Sequence, residues 1–201
     1  MRIDWNLPPF RAGFLGGLDK FIGPGATSAE KNLQLYVPFI AGALIAAYAN
    51  HAELGWSWGQ YLAAVLLTID MLGGVITNAT SSAKRWFHRE GEGFKQHMTF
   101  IAIHFIQLTV FSWLFLDLNL MWVAVTGGYM MLACALVLKT ALYLQRPVAL
   151  ILYTVSLIIS LYVVESPTGL EWFLPVFYLK LLISHILREE PYRPENEAVY
   201  K

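Results

Sequence analysis
The sequence predicts an all-α, polytopic integral membrane protein of six transmembrane helices with both termini in the cytoplasm. Three observations carry this expectation. Of the 201 residues, 57% are hydrophobic and only 14% are charged, against roughly 25% charged in an ordinary soluble domain. Mean hydropathy is +0.51. Apolar runs recur at lengths suited to about 30 Å of hydrocarbon, which a helix of about 20 residues covers.

Six such runs lie at about 33–49, 59–80, 98–116, 119–139, 147–164 and 171–187. They divide the chain into an N-terminal cytoplasmic or interfacial arm (1–32), a six-helix transmembrane domain (33–187) and a charged cytoplasmic tail (188–201). Sidedness follows from lysine and arginine, which concentrate in short cytoplasmic loops. Every Lys and Arg except Lys180 lies in the arm, in the loops after the second and fourth spans, or in the tail. The loops at 50–58, 117–118 and 165–170 contain neither residue. The chain is therefore expected in the inner or plasma membrane, with lipids as its first partners and a homo-oligomer or partner membrane protein as further possibilities. Topology accounts for the basic residues and none forms a nucleic-acid motif, so nucleic acid is not expected. Cys134 is the lone cysteine and cannot form an internal disulfide.

In the arm, Trp5, Phe10, Phe14, Leu15, Leu18, Phe21 and Ile22 alternate with glycines and charges, a mix suited to the headgroup layer. No continuous hydrophobic region of a cleavable signal is present. Gly23-Pro24-Gly25 breaks the chain. Thr27 followed by Glu30 then forms a capping box that opens the first helix. Pro38 is read as lying near the start of that span, where proline costs little. Tryptophans 56, 58, 113, 122 and 172 fall near outer ends as interfacial anchors. The tail REEPYRPENEAVYK lacks periodicity and is expected to be an exposed, mobile docking segment. No internal repeat relates the first three spans to the last three.

The stretch DMLGGVITNATSSAKRWFHR, residues 70–89, ends the second span and carries most of the chemistry. At helical spacing Asp70, Gly74, Thr77, Asn78 and Ser81 fall within one stripe about 100° wide. Close packing explains Gly73, Gly74 and the small hydroxylated residues. It does not explain Asp70, which lies several turns from the inner end and must be protonated, paired or ligating. Ionisable groups inside spans cost about 2.5–3.5 kcal/mol on insertion scales and invite a functional reading. Besides Asp70 these are His104, Lys180 and His185, with His97 where the third span begins.

Spans two and three are joined by a short loop, which makes them antiparallel neighbours and places His104 at the depth of Asp70. That is the pairing expected. His97 and His104 share a face but are about 10 Å apart along the axis, too far for a local two-histidine chelate. Lys180 either snorkels to the headgroups or pairs with Asp70. Arg85, His88 and Arg89 form a basic-aromatic loop that anchors on headgroups or holds a substrate anion.

These polar groups gather in the inner half of the spans, which favours a site open to the cytoplasmic leaflet over a path through the full thickness. The leading expectation is an enzyme acting on a lipid or amphiphile. Asp70, His104 and His97 supply acid-base chemistry, Asn78 and Ser81 orient water or the headgroup, and Arg85, His88, Arg89 and Lys180 bind the substrate. Asp70, His97, His104 and His185 form the metal-ligand set if zinc or iron is present. This inventory resembles that of the intramembrane zinc hydrolases of the ceramidase and adiponectin-receptor type. The chain departs from them in having six predicted spans rather than seven and no one-turn histidine pair on the last. The likeness is one of mechanism, and no residue carries over. Two other readings stand beside it: a proton-coupled transporter using Asp70 and Lys180, and a noncatalytic scaffold or assembly protein.

Overall fold
A computed structural model describes residues 1–195. Among the described residues the regular structure is helical apart from one pair of two-residue strands. Five helices among them are long and apolar enough to cross a membrane: Ser28–His51, Trp58–Ala79, Phe94–Phe115, Leu120–Lys139 and Leu142–Val163. The last apolar helix, Phe173–His185, is shorter.

The arm contains β1 (Arg2–Ile3) and a short amphipathic helix, α1 (Phe14–Ile22). Phe14 and Phe21 are strongly exposed while Ile22 is buried. The first long helix, α2 (Ser28–His51), begins at the expected capping box: Thr27 Oγ1 accepts from the Glu30 amide and Glu30 Oε2 from the Thr27 amide. It starts about a turn and a half before the span predicted from hydropathy, so Pro38 lies in its interior rather than near its start. That proline cannot donate to the Gln34 carbonyl one turn back, which loses its helical partner.

From α2 the chain turns into α3 (Trp58–Ala79), and Thr80 then closes α3 and opens the short α4 (Ser81–Phe87). The third long helix is two pieces, α5 (Phe94–Ile103) and α6 (Phe105–Phe115), meeting at His104. There the His104 amide donates to Ile101, a tighter turn than the helical one. Next come α7 (Leu120–Lys139) and α8 (Leu142–Ile158), which ends in a π segment at Ile159–Val163. The final helix opens as α9 (Phe173–Tyr178) and widens into a π segment, Leu179–His185. Strand β2 (Tyr192–Arg193) follows.

The final helix is the axis of the bundle. Phe177, Tyr178, Leu181 and Leu182 are fully buried, and α3, α7 and α8 pack around them. A helix buried around its circumference belongs there, and the polar side chains it carries must find partners within the bundle. The peripheral helices expose large apolar side chains instead, among them Leu44, Leu62, Ile103, Leu132 and Ile151, an outward face suited to lipid rather than water. Away from the termini, Phe111 stacks on Phe173 with ring centres 4.0 Å apart and on Trp122 at 5.3 Å. This aromatic layer closes that half of the core.

The N-terminal strand and the segment around residues 192–193 meet at the opposite end. Strands β1 and β2 pair antiparallel, Arg2 with Arg193 and Ile3 with Tyr192. The tail up to residue 195 is thus held to the arm where a mobile segment was expected, because its extended backbone finds an edge to pair with. Residues 196–201, the end of the expected docking tail, lie outside the described residues.

Candidate functional site
The TNATSS run turns the chain between two helices, and its hydroxyls are spent on that turn. Thr80 Oγ1 donates to the Thr77 carbonyl and accepts from the Ala83 amide. Ser82 donates to the Ile22 carbonyl, capping α1. The Ser81 hydroxyl, expected to orient water or substrate, accepts from the Tyr192 amide of the tail strand. Gly23 packs so tightly on this turn that a Cβ would lie 2.4 Å from the Ser82 carbonyl, and its φ is +84°, a conformation glycine adopts freely.

The basic residues that follow are mostly fasteners. Lys84, only 2% exposed, donates to the Ser184 and Leu187 carbonyls at 2.7 and 2.6 Å. An ammonium there satisfies carbonyls that the end of the final helix leaves open. Burial pushes its pKa down to about 8, against the opposing pull of Glu189 3.6 Å away. Arg85 is equally buried and donates to the Asp4 carbonyl at 2.6 Å. Arg193 Nε lies 2.8 Å from Asp4 Oδ2, an ion pair without hydrogen-bond alignment. Arg85 therefore holds the arm and does not face a substrate cavity. Arg89 stacks on the Trp86 ring, donates to the Trp86 carbonyl and pairs with Glu92.

Two polar clusters occupy the interior, and they are separate. In the first, Lys180 Nζ donates to Asp70 Oδ2 at 2.8 Å, and Gln107 Nε2 donates to the same oxygen at 2.5 Å. Asp70 thus meets Lys180 and Gln107 rather than His104, whose Nδ1 donates to the Phe100 carbonyl of its own helix at 2.8 Å. The kink at His104 turns its ring to that local partner. Gly74 makes the ion pair possible: a Cβ there would lie 2.2 Å from Lys180 Cε. The lysine side chain crosses α3 through the space the glycine leaves.

The second cluster joins three histidines from three elements. His97 Nδ1 and His185 Nε2 are 3.2 Å apart, His185 Nδ1 is 3.4 Å from Asn78 Oδ1, and His88 Nε2 donates to the His185 carbonyl at 2.9 Å. The His88 and His97 rings lie 4.8 Å apart, and Phe100 stacks on His185 at 4.1 Å. Asn78, His97 and His185 are all buried. Burial, then the neighbouring His97 and Lys84, push the His88 pKa down to about 3 despite its bond to the carbonyl.

The bonds also set a direction. The Asn78 oxygen only accepts, so His185 donates to it through Nδ1 and is left with an accepting Nε2. His97 then donates through Nδ1, and its Nε2 carries the free lone pair. His97 and His185 form part of the wall of a cavity of about 250 Å³, shared with Trp86, Arg89, Gln96 and Phe100. A base oriented by a second group that is itself held by a third is the general arrangement of an activated acid-base site.

The expected metal set is divided between these places: Asp70 with Lys180, His104 with a carbonyl, and His97 with His185. Among the described residues no group of three or more His, Cys, Asp or Glu side chains is arranged to hold a metal ion, so the zinc or iron expectation finds no site. Gln107 and Lys84 did not stand out in the sequence. An amide inside an apolar span was the available signal for Gln107, while Lys84 looked like one more positive loop residue. No family model, curated protein or solved structure matches this chain.

Proposed function
We propose that this is a membrane-embedded enzyme that performs acid-base chemistry on the polar head of a lipid or other amphiphile, with His97 as the proton-transferring residue. The observation that carries the reading is the directed chain from Asn78 through His185 to His97, ending at a cavity wall. His185 and Asn78 are positioning residues. Stacking by Phe100 restrains the His185 ring, and Arg89 is the cation nearest to hand for an anionic substrate that displaces Glu92. In this reading the end of the bundle that carries the site faces the cytoplasm and the final helix is a sixth crossing, which the charge placement in the loops supports.

The test uses the protein reconstituted in liposomes of total lipid extract from its expression host, followed by mass spectrometry over time. Turnover of a lipid species is expected, reduced about 10²- to 10⁴-fold by His97→Ala and less by Asn78→Leu. Identical lipid profiles for wild type, His97→Ala and protein-free liposomes would overturn the reading.

The Asp70–Lys180 ion pair favours a second reading, a proton-coupled carrier. Proton-driven solute uptake into proteoliposomes that Asp70→Asn abolishes, without lipid turnover, would establish it. Against it stands the stacked aromatic layer of Phe111, Phe173 and Trp122, which packs that half of the core.

A further inference from the structure
On the side of α3 away from the histidines, α1, α2 and α3 enclose a cleft of about 520 Å³, within the range of small-molecule sites. Its α3 wall runs from Leu66 to Thr77, about 16 Å along the axis at 1.5 Å per residue. The lining is mainly apolar, and Leu66, Leu35 and Phe21 are among its exposed residues. In a bilayer such a trough opens sideways to lipid. Gly73 forms part of its floor: a Cβ there would only just touch Pro38, at 3.4 Å.

One point in this apolar lining is left polar. The Gln34 side chain lines the cleft, yet neither its amide nitrogen nor its oxygen has a hydrogen-bond partner, and both atoms are shielded from water. Its backbone carbonyl is the one that Pro38 deprives of a helical donor. Buried polar groups without partners cost about 1–3 kcal/mol each, and here a donor and an acceptor belong to a single side chain. The carboxylates nearest the cleft are already matched. Asp70 is held by Lys180, and Arg11 is bonded to Asp19. The Arg11 bond, with Lys31 nearby, keeps the Asp19 carboxyl below the usual range.

We infer that this cleft binds a neutral, hydroxyl-headed amphiphile from the bilayer, a monoacylglycerol or long-chain alcohol, with its hydroxyl hydrogen-bonded at Gln34 and its chain along the Gly73 floor. A hydroxyl both donates and accepts, as Gln34 requires. A carboxylate only accepts and leaves the Gln34 oxygen unanswered. An ester without a hydroxyl does the same. This site is independent of the His97 chemistry.

Binding of radiolabelled 1-monooleoylglycerol to the purified full chain in detergent micelles tests the inference, with oleate and methyl oleate as competitors. Monooleoylglycerol is expected to bind at least tenfold tighter than either. Gln34→Leu is expected to weaken it about tenfold, leaving methyl oleate unaffected, and Leu66→Trp to weaken both by filling the trough from an exposed position. His97→Ala is expected to leave binding unchanged, so failure here and failure of the catalytic reading are read separately. Equal affinity for methyl oleate and monooleoylglycerol, tighter binding of oleate, or insensitivity to both variants would overturn it.

Discussion

Two adjacent glycines on α3 are expected to respond oppositely to the same methyl group. In Gly74→Ala the new Cβ would lie 2.2 Å from Lys180 Cε and 2.7 Å from Cδ, so the lysine must leave its track and release Asp70. Breaking a buried ion pair costs about 3–5 kcal/mol. The lower part of that range applies because the Asp70 side chain keeps 39% exposure and can relax. Alanine recovers about 1 kcal/mol of helix propensity, leaving a net loss of about 2–3 kcal/mol. Gly73→Ala places its Cβ at ordinary contact distance from Pro38, 3.4 Å, and is expected to gain up to about 1 kcal/mol. A spread of about 2–4 kcal/mol corresponds to roughly 4–16 °C in melting temperature for a chain of this size. The single, fully buried Cys134 supplies the reporter: its reaction with a fluorogenic maleimide during heating in detergent marks unfolding. In a Lys180→Met background the two variants should converge. Equal melting temperatures in the wild-type background, or a Gly74→Ala protein more stable than its parent, would refute the threaded lysine.

Lys84→Met is expected to cost about 1–3 kcal/mol, the value of charge-assisted bonds to two helix-terminal carbonyls less the relief of burying an ammonium, seen in the same maleimide melt. Acidification should destabilise the fold. Between the ordinary histidine value of 6.5 and the His88 value of about 3, the unfolded chain binds a proton that the folded chain refuses, so stability rises with pH across that window. Tryptophan-fluorescence melts at pH 7.5 and 5 should show a loss on acidification that His88→Gln reduces. For Asp4, burial works to raise the carboxyl, but the Asn6 amide, Arg193 and Arg85 together bring it below its ordinary value. Its contribution is present above the ordinary value and lost as pH falls through the lowered one. Asp4→Asn leaves two buried arginines without their counter-charge and should loosen the arm, measured as faster proteolysis within residues 1–27.

Local chemistry was readable from the residues. The Thr27–Glu30 box marks the start of α2 because capping involves residues three apart, and the long apolar runs mark helices because bilayer thickness sets their length. Partners across helices were less accessible. Asp70 had to have one, but choosing between His104 and Lys180 required knowing that the final helix, not the third, packs against Gly74. The π segment that carries Lys180 and His185 has an i to i+5 pattern that hydrophobic periodicity does not encode. Pro38 looked harmless because hydropathy placed the helix start later than capping did. Gln34 and Gln107 carry no charge and belong to no polar stripe, although an amide in an apolar span makes the same kind of demand on its surroundings.

The central position of the last helix also bears on timing. The segment that fills the axis, Phe173–His185, leaves the ribosome after every helix that packs around it. Until it arrives, Asp70 lacks its lysine, Asn78 and His97 lack His185, and the Lys84 ammonium lacks the Ser184 and Leu187 carbonyls. The pairing of these interior polar groups is therefore one late event, set by the arrival of a single helix.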